Sequence, residues 1–311
     1  MDHIGPFFFN GIRFALGGLS LIPVMLLTGR PHRDEPSAPP GSGSKTLAAG
    51  GILAGAALFA GASLQQVGLL YTTAGKAGFI TGLYVVLVPI IGLFWRQRSD
   101  AGTWLGALLA ATGLYFLSVT EAFTISFGDF LELMGAFIWA GHVLLIGWFS
   151  PKISAIRLSF LQFMVCSALS LTTAAFTETV TLAGLWGAMP AILYGGIGSV
   201  GIAYTLQVVA QRHARASHAA IILCMESPFA ALGGWLMLDE TMTGRALFGC
   251  SLMLMGMLAS QLYPQIFHRA AGRIARAHRR PAQPGNRNTT DSQVGGGRSL
   301  CRSQPDRQAH L

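Results

Sequence analysis

Residues 77–95 have the sequence AGFITGLYVVLVPIIGLFW, a run without a single charged side chain. A helix needs roughly 20 apolar residues to cross the hydrocarbon layer of a membrane. Similar runs recur along most of the chain, which is 52% hydrophobic and 11% charged. Soluble domains carry about 25% charged residues. The sequence therefore predicts an all-α integral membrane protein.

Nine transmembrane helices are predicted from the apolar runs and from the polar linkers between them. The linker 28–46 is rich in Pro, Gly, Ser and charge, so we expect a surface loop. The segment 264–280 carries five arginines, and we expect it to continue the last helix along the lipid surface. Residues 281–311 are too polar to form a core, so we expect them to be disordered, and the whole basic tail, 264–311, to be cytoplasmic. The predicted helices are 6–27, 47–70, 77–95, 101–119, 128–149, 156–176, 188–209, 217–237 and 245–263.

Basic residues indicate how these helices are oriented. Nine lysines and arginines lie in the linkers after the first, third, fifth and seventh helices, whereas the other linkers hold only Lys76 and Arg245. Cytoplasmic loops of membrane proteins carry the excess of basic residues. We therefore expect a multi-pass protein of the inner (plasma) membrane with a cytoplasmic C-terminus. The N-terminus then lies outside, and one further helix upstream of Met1 would place it inside.

Two regions of the sequence share an order of features. Residues 65–118 and 207–260 each contain a glutamine near a helix end, a polar turn and an apolar helix with a proline, Pro89 or Pro228. A charged hinge and a helix with two glycines seven residues apart follow in each. Five membrane crossings separate the two proline helices, so the second region would be inverted relative to the first. Inverted repeats with interrupted helices are typical of secondary transporters, although any two apolar helices have some similarity.

The segments LQQVGLLYTTAGKAGFITGLYVVLVP (64–89) and MESPFAALGGWLMLDETMTGRALFG (225–249) resemble the two halves of the EamA branch of the drug/metabolite transporter superfamily. GPFFFNGIRFALGGL (5–19) resembles the second helix of that family's first repeat, and FLELMGAFIWAGHVLLIG (130–147) the first helix of its second repeat. Family members have ten helices in five plus five. The resemblance thus implies a four-plus-five bundle of two inverted repeats, 1–119 and 128–263, that lacks the first helix.

The same resemblance implies secondary active transport of small metabolites, amino acids or drugs, by an exporter or exchanger that alternates access to a central cavity. The missing helix would line that cavity in the family, so a truncated protein that does not transport stays an alternative, as does a passive channel. The expected partners are the lipid bilayer, a small-molecule substrate and protons, with a homodimer left open. Nucleic acid is not expected, because no basic patch is interleaved with aromatic residues.

Polar side chains inside apolar helices are the candidates for a substrate pathway. Glu226 lies beside Pro228, and a carboxylate near the bilayer centre costs about 2.5–3.5 kcal/mol unless it faces a cavity or a partner. Together with His142 it suggests coupling to protons, although either residue can also be a packing group. Arg13 can meet an anionic substrate or extend to the headgroups. The other candidates, which helix packing or interface positions would also explain, are Gln65, Gln66, Lys76, Tyr84, Trp139, Gln162, Tyr204, Gln207 and His218.

Pro89 and Pro228 each remove a backbone donor and are predicted to be helix hinges or gates, although simple packing kinks would explain them equally well. No catalytic residue, metal site or cofactor is expected, and the chain is not expected to be an enzyme. The segment 196–201 (GIGSVG) matches a dinucleotide-binding fingerprint by letter, but it lies inside an apolar run without the strand that this motif requires. Packing of small residues explains it. Packing also explains the three cysteines in apolar runs, Cys166, Cys224 and Cys250.

Overall fold

A computed structural model of the chain describes residues 4–27, 42–95, 99–118, 126–237 and 243–278. Within these ranges all regular secondary structure is helical. Contacts divide the chain into a bundle, Met1–His268, and a second unit, Arg269–Leu311. The part of the tail after His278 that the sequence predicts to be disordered lies outside the described residues, as does most of the predicted loop 28–46.

Eight helical runs of the described chain are long and apolar enough to cross a membrane, and the apolar run Ala101–Leu117 is slightly shorter. Each of the nine predicted crossings therefore has a helical counterpart, and the prediction of an all-α integral membrane protein is confirmed. A π-helical segment, Tyr194–Tyr204, joins α8 to α9. The α-helices are α1 Pro6–Leu27, α2 Ser42–Gly68, α3 Ala74–Gly82, α4 Tyr84–Phe94, α5 Ala101–Ser118, α6 Phe127–Phe149, α7 Ala155–Thr177, α8 Leu182–Leu193, α9 Thr205–Gln211, α10 Ala216–Leu223, α11 Glu226–Met237 and α12 Gly244–His278.

Several boundaries differ from those the sequence suggests. Helix α2 begins at Ser42, so the last residues of the predicted loop are helical. Helix α12 continues to His278, which agrees with the helical continuation predicted for 264–280. Two crossings are interrupted: α3 and α4 form one, and α10 and α11 form another. Hydropathy averages over a window of residues and therefore does not register a break of one or two residues.

Glycines bring α5 and α12 into close contact. A methyl group added at Gly106 would lie 2.7 Å from the carbonyl oxygen of Gly256, and the reverse addition at Gly256 would lie 2.7 Å from that of Gly106. Gly113 and Gly249 make the same reciprocal contact, at 2.5 Å in both directions. Because the pairing runs in opposite directions along the two helices, α5 and α12 are antiparallel. Small residues of this kind let helix backbones approach closely.

The π-helical segment packs against α1, also through small residues. A methyl group at Gly196 would lie 3.1 Å from the carbonyl oxygen of Arg13, and one at Gly17 would lie 2.9 Å from that of Gly196. The fingerprint-like segment 196–201 therefore serves helix packing, as the sequence analysis expects. The same helix α1 is held at its start by Glu178, whose carboxylate accepts hydrogen bonds from the backbone N–H groups of Phe7 and Phe8, each at 2.8 Å.

Candidate functional site

Each of the two interrupted crossings breaks a few residues before its proline. Helix α3 ends at Gly82 and α4 begins at Tyr84, while α10 ends at Leu223 and α11 begins at Glu226. Tyr84 and Glu226 are therefore each the first residue of a second half-helix. The breaks touch, because the Cys224 thiol donates to the carbonyl oxygen of Gly82 at 3.6 Å. Half-helices that meet in this way leave backbone groups and helix ends near the middle of a bundle.

A cavity of about 230 Å³ lies at this junction. Three side chains that the sequence analysis selects contribute to its wall: Gln65 from α2, Tyr84 from α4 and Glu226 from α11. They supply an amide, a phenol and a carboxyl, so the cavity offers hydrogen-bond donors and acceptors as well as a group that can carry charge. The remaining lining residues are Gly78, Thr81, Gly82, Leu223, Cys224 and Ser227.

On the other side of the breaks, α4 and α10 pack directly together. Val88, Ala216 and Ala220 are buried in one apolar cluster, with Tyr84 and Leu223 packed against it. These half-helices lead toward the end of the bundle that carries Lys152, Arg212 and Arg215, which we call the basic end. The cavity lies at the breaks themselves and takes most of its lining residues from α3 and α11, which lead toward the opposite end.

Polar contacts join the start of α5 to the start of α10 at the basic end. The Thr103 hydroxyl lies 3.1 Å from His218 Nε2, and the Ser99 and Ser217 hydroxyls are 3.3 Å apart. Arg215 forms an ion pair with Asp100 at 3.7 Å. These contacts, which we call the basic-end latch, lie next to the α4–α10 cluster. His218, a pathway candidate in the sequence analysis, is therefore placed in a contact between helices.

A second group of predicted residues forms a buried cluster of aromatic and polar side chains between α1, α6, α7 and the π-helical segment. His142 Nε2 lies 3.0 Å from the side-chain oxygen of Gln162. The Trp139 ring stacks on Tyr204 with centroids 6.1 Å apart and meets His142 edge-on at 5.8 Å. The Arg13 guanidinium lies 5.1 Å from the centroid of the Phe14 ring. Tyr84 packs against this cluster and also lines the cavity.

The remaining predicted residues lie outside the cavity wall. Gln66 is on α2, and Lys76 is in the first turn of α3, where its backbone N–H donates to Thr73. Gln207 donates to Gln211 at 3.4 Å. Pro89 lies inside α4, and Pro228 lies in the first turn of α11, where a missing N–H costs little. Both helix breaks precede the prolines rather than coinciding with them.

Two carboxyl groups on α6 contact α3 or the residues just before it, and neither is among the candidates selected from the sequence. Glu132 is fully buried and accepts a hydrogen bond of 2.6 Å from the hydroxyl of Thr81, which lines the cavity. Asp129 accepts from the Thr72 hydroxyl and forms a capping box with Ser126. The available signal was a pair of carboxyls one turn apart at the start of an otherwise apolar helix. Their partners are 51 and 57 residues away in sequence, which no local pattern reveals.

Comparison with known proteins agrees with this architecture. A model of the EamA-like transporter family matches residues 1–119 and 126–260. The chain belongs to this family. It is 34% identical over 263 residues to an "Uncharacterized transporter" of Archaeoglobus fulgidus, an alignment that covers 84% of this chain and 79% of that protein. This EamA-family chain is also similar to a protein of solved crystal structure, with a TM-score of 0.68, 19% identity, and coverage of 83% of this chain and 89% of the other. That likeness shows a shared fold.

Proposed function

We propose that this EamA-family protein is a secondary active transporter that exports or exchanges a small polar metabolite by alternating access. The observation that carries the proposal is the cavity at the junction of the two interrupted helices, with α4 and α10 packed on one side of it. A transporter that alternates access needs a central site and one closed end at a time. The packed α4–α10 contact and the basic-end latch supply the closed end.

The proposal includes two inverted repeats, 1–119 and 128–263, related by a pseudo-twofold axis. The reciprocal contacts between α5 and α12 support it, because Gly106 contacts Gly256 and Gly113 contacts Gly249. Gly106 and Gly249 are the first glycines of the pairs in the two similar regions, and Gly113 and Gly256 are the second. A twofold rotation that exchanges the two regions would therefore convert the Gly106–Gly256 contact into the Gly249–Gly113 contact. A rocking of one repeat against the other about this crossing would exchange the open and closed ends.

The cavity supports a compact substrate with polar groups, such as an amino acid. Its volume of about 230 Å³ is below the roughly 300–1,000 Å³ of sites for drug-sized ligands. Gln65 and Tyr84 can donate and accept hydrogen bonds, and an ionised Glu226 can pair with an ammonium group. We propose transport rather than catalysis, with the basic end in the cytoplasm of a cell whose inner membrane holds the protein, because of the distribution of basic residues.

Protons are the proposed coupling ion. Glu226 lines the cavity and can exchange charge for a proton as the substrate enters or leaves. His142, the other residue on which the sequence analysis based coupling, lies in the buried cluster with Gln162. We therefore place the coupling at the cavity and give His142 a role in holding α6 to α7.

Uptake of labelled substrate into reconstituted vesicles tests the function. Purified protein is incorporated into lipid vesicles, and uptake of labelled amino acids is measured with and without an imposed pH gradient. We expect saturable uptake that the pH gradient accelerates. In Glu226→Gln we expect the acceleration by the gradient to be lost. Gln66→Ala, on α2 outside the cavity wall, is the matched control and should transport like the wild type. Uptake that rises linearly with concentration would indicate a channel, and no uptake of any amino acid by the wild type would contradict the proposed substrate class.

A further inference from the structure

We propose that Glu132 is a proton-binding carboxyl of this protein, reached from the cavity through the hydroxyl of Thr81. The proposal extends the transport function suggested above and adds to it a site behind the cavity wall. Coupling would then involve two carboxyls, Glu226 in the wall of the cavity and Glu132 behind it.

Thr81 connects the cavity to Glu132. It lies in the last turn of α3, lines the cavity and is 8% exposed. Its hydroxyl donates to Glu132 Oε2 at 2.6 Å. Glu132 itself is 0% exposed and lies on α6, one layer behind the wall. A single side chain therefore separates the carboxyl from the space that a substrate would occupy.

The surroundings of Glu132 favour a bound proton over a bare charge. Its Oε1 atom is buried and has no hydrogen-bond partner among the described residues. The backbone of α2 packs against this oxygen, since a methyl group added at Gly68 would lie 2.7 Å from it. An ionised carboxylate that is buried in a membrane bundle with one hydrogen bond is strongly disfavoured. Binding a proton removes that charge without requiring a larger cavity.

The other titratable groups around Glu132 have different surroundings. Asp129, one turn earlier on α6, accepts from the Thr72 hydroxyl and from the Ser126 backbone N–H, and it lies at the N-terminal end of the helix. Hydroxyl and backbone donors at a helix start stabilise a charged carboxylate. Lys76 is on the neighbouring helix α3, and Tyr84 and Glu226 belong to the cavity wall. Glu132 is thus the carboxyl of α6 that is placed to change its charge.

The transfer needs no further reactant. A hydronium ion in the cavity gives one proton to the Thr81 oxygen, and Thr81 passes its own hydroxyl proton to Glu132 Oε2. One O–H bond forms on the carboxylate, one breaks on the hydronium, and a water molecule remains in the cavity. The reverse sequence returns the proton.

Infrared spectroscopy of the purified protein in lipid nanodiscs, recorded across a pH series, tests the site directly. A protonated carboxyl has a C=O stretching band of its own, so we expect the wild type to show such a band that changes with pH. In Glu132→Gln, the component of this band that comes from Glu132 should be missing. Asp129→Asn is the matched control and should keep that component. The amide of Glu132→Gln still accepts from Thr81, and an unfolding curve equal to that of the control confirms its fold. An unchanged titrating band in Glu132→Gln, or complete loss of the band in Glu226→Gln alone, overturns the proposal.

The route through Thr81 has its own test. After a rapid change of pH, the Glu132 band should respond more slowly in Thr81→Val, and Thr81→Ser should restore the rate because it keeps the hydroxyl. Equal rates in all three proteins overturn the route. These measurements need no substrate, so the proton site and the transport function can fail separately. If Glu132→Gln loses the band component and the wild type transports nothing, the proton site is supported and the proposed transport is contradicted. Coupled transport that survives in Glu132→Gln with an unchanged band contradicts the site alone.

Discussion

The two halves of the interrupted helices differ in how closely they approach each other. Toward the basic end, α4 and α10 pack through Val88, Ala216 and Ala220, and the basic-end latch joins the adjoining helix starts. Toward the opposite end, α3 and α11 supply most of the residues that line the cavity. The half-helices that lead to the basic end thus make an apolar contact, whereas those that lead to the opposite end supply most of the lining of a polar cavity.

Under the alternating access that we propose, this difference corresponds to one of two states of the bundle. Helices α5 and α12 cross through reciprocal glycine contacts, Gly106 with Gly256 and Gly113 with Gly249. The asymmetry lies in the interrupted helices, and in this proposal the closed half is the one that leads to the basic end.

The largest expected effect comes from the crossing, because α5 contacts α3, α4 and α10 and so supports both halves. Gly113→Ala puts a methyl group 2.5 Å from the Gly249 carbonyl oxygen and 2.8 Å from the backbone nitrogen of Met253. Backbone cannot yield as a flexible side chain can, so we expect a destabilisation in the upper part of the about 1–3 kcal/mol typical of overpacking. Unfolding in detergent measures it.

Gly141→Ala is the matched control for that substitution. Apart from its chain neighbours and the backbone of its own helix, a methyl group at Gly141 in α6 would meet no heavy atom within 4 Å. Alanine is the better helix former by about 0.8–1 kcal/mol, so this variant should be as stable as the wild type or more so. If Gly113→Ala and Gly141→Ala destabilise the protein equally, the close backbone contact between α5 and α12 is contradicted.

A smaller effect is expected at the end opposite the latch, which α1 and α7 hold together. Glu178→Ala removes the carboxylate that accepts from the Phe7 and Phe8 N–H groups. Loss of such a cap costs about 0.5–2 kcal/mol. Hydrogen exchange at those two amides should accelerate, while Glu178→Gln, which keeps one acceptor oxygen, should show part of the change. If exchange there is unaffected, Glu178 does not hold this end.

The smallest effect is expected for the ion pair of the latch. Arg215 is 64% exposed and its nitrogen is 3.7 Å from the Asp100 oxygen. Exposed pairs contribute about 0–1 kcal/mol, so Arg215→Gln should lower stability by less than 1 kcal/mol, and added salt should abolish the difference. Thr103→Val, which loses its contacts with both Asp100 and His218, should have the larger effect. A larger loss of stability in Arg215→Gln than in Thr103→Val would mean that the Arg215–Asp100 ion pair, and not the buried Thr103 hydroxyl, holds this end closed.

Much of the fold follows from the sequence, because membrane-spanning helices are specified by length and hydropathy. Each of the nine predicted crossings has a helical counterpart in the described chain, and the spacing of the paired glycines in 65–118 and 207–260 is visible in the sequence. Which glycine contacts which was not predictable, since it depends on the crossing of two helices far apart in the chain. The prolines indicated the interrupted helices, but the breaks at Leu83 and at Cys224–Met225 lie before them.

The site was predictable only in part. Gln65, Tyr84 and Glu226 were selected as polar residues in apolar helices, and they do line the cavity. The same criterion also selected His142, Gln162 and Trp139, which belong to the buried cluster, because polarity alone does not tell which side of a helix faces a cavity. Thr81 was missed because a single threonine in a helix is common, and its role depends on Glu132.

The central claim is that the cavity opens away from the basic end, and thiol labelling tests it most directly. Ser227→Cys places a thiol in the cavity wall of a variant whose four native cysteines are replaced by alanine. Lys152→Cys in the same background marks the basic end, where that residue is exposed. A membrane-impermeant maleimide should label position 227 only from the membrane face opposite the one that labels position 152. Labelling of both positions from the same face would contradict the account.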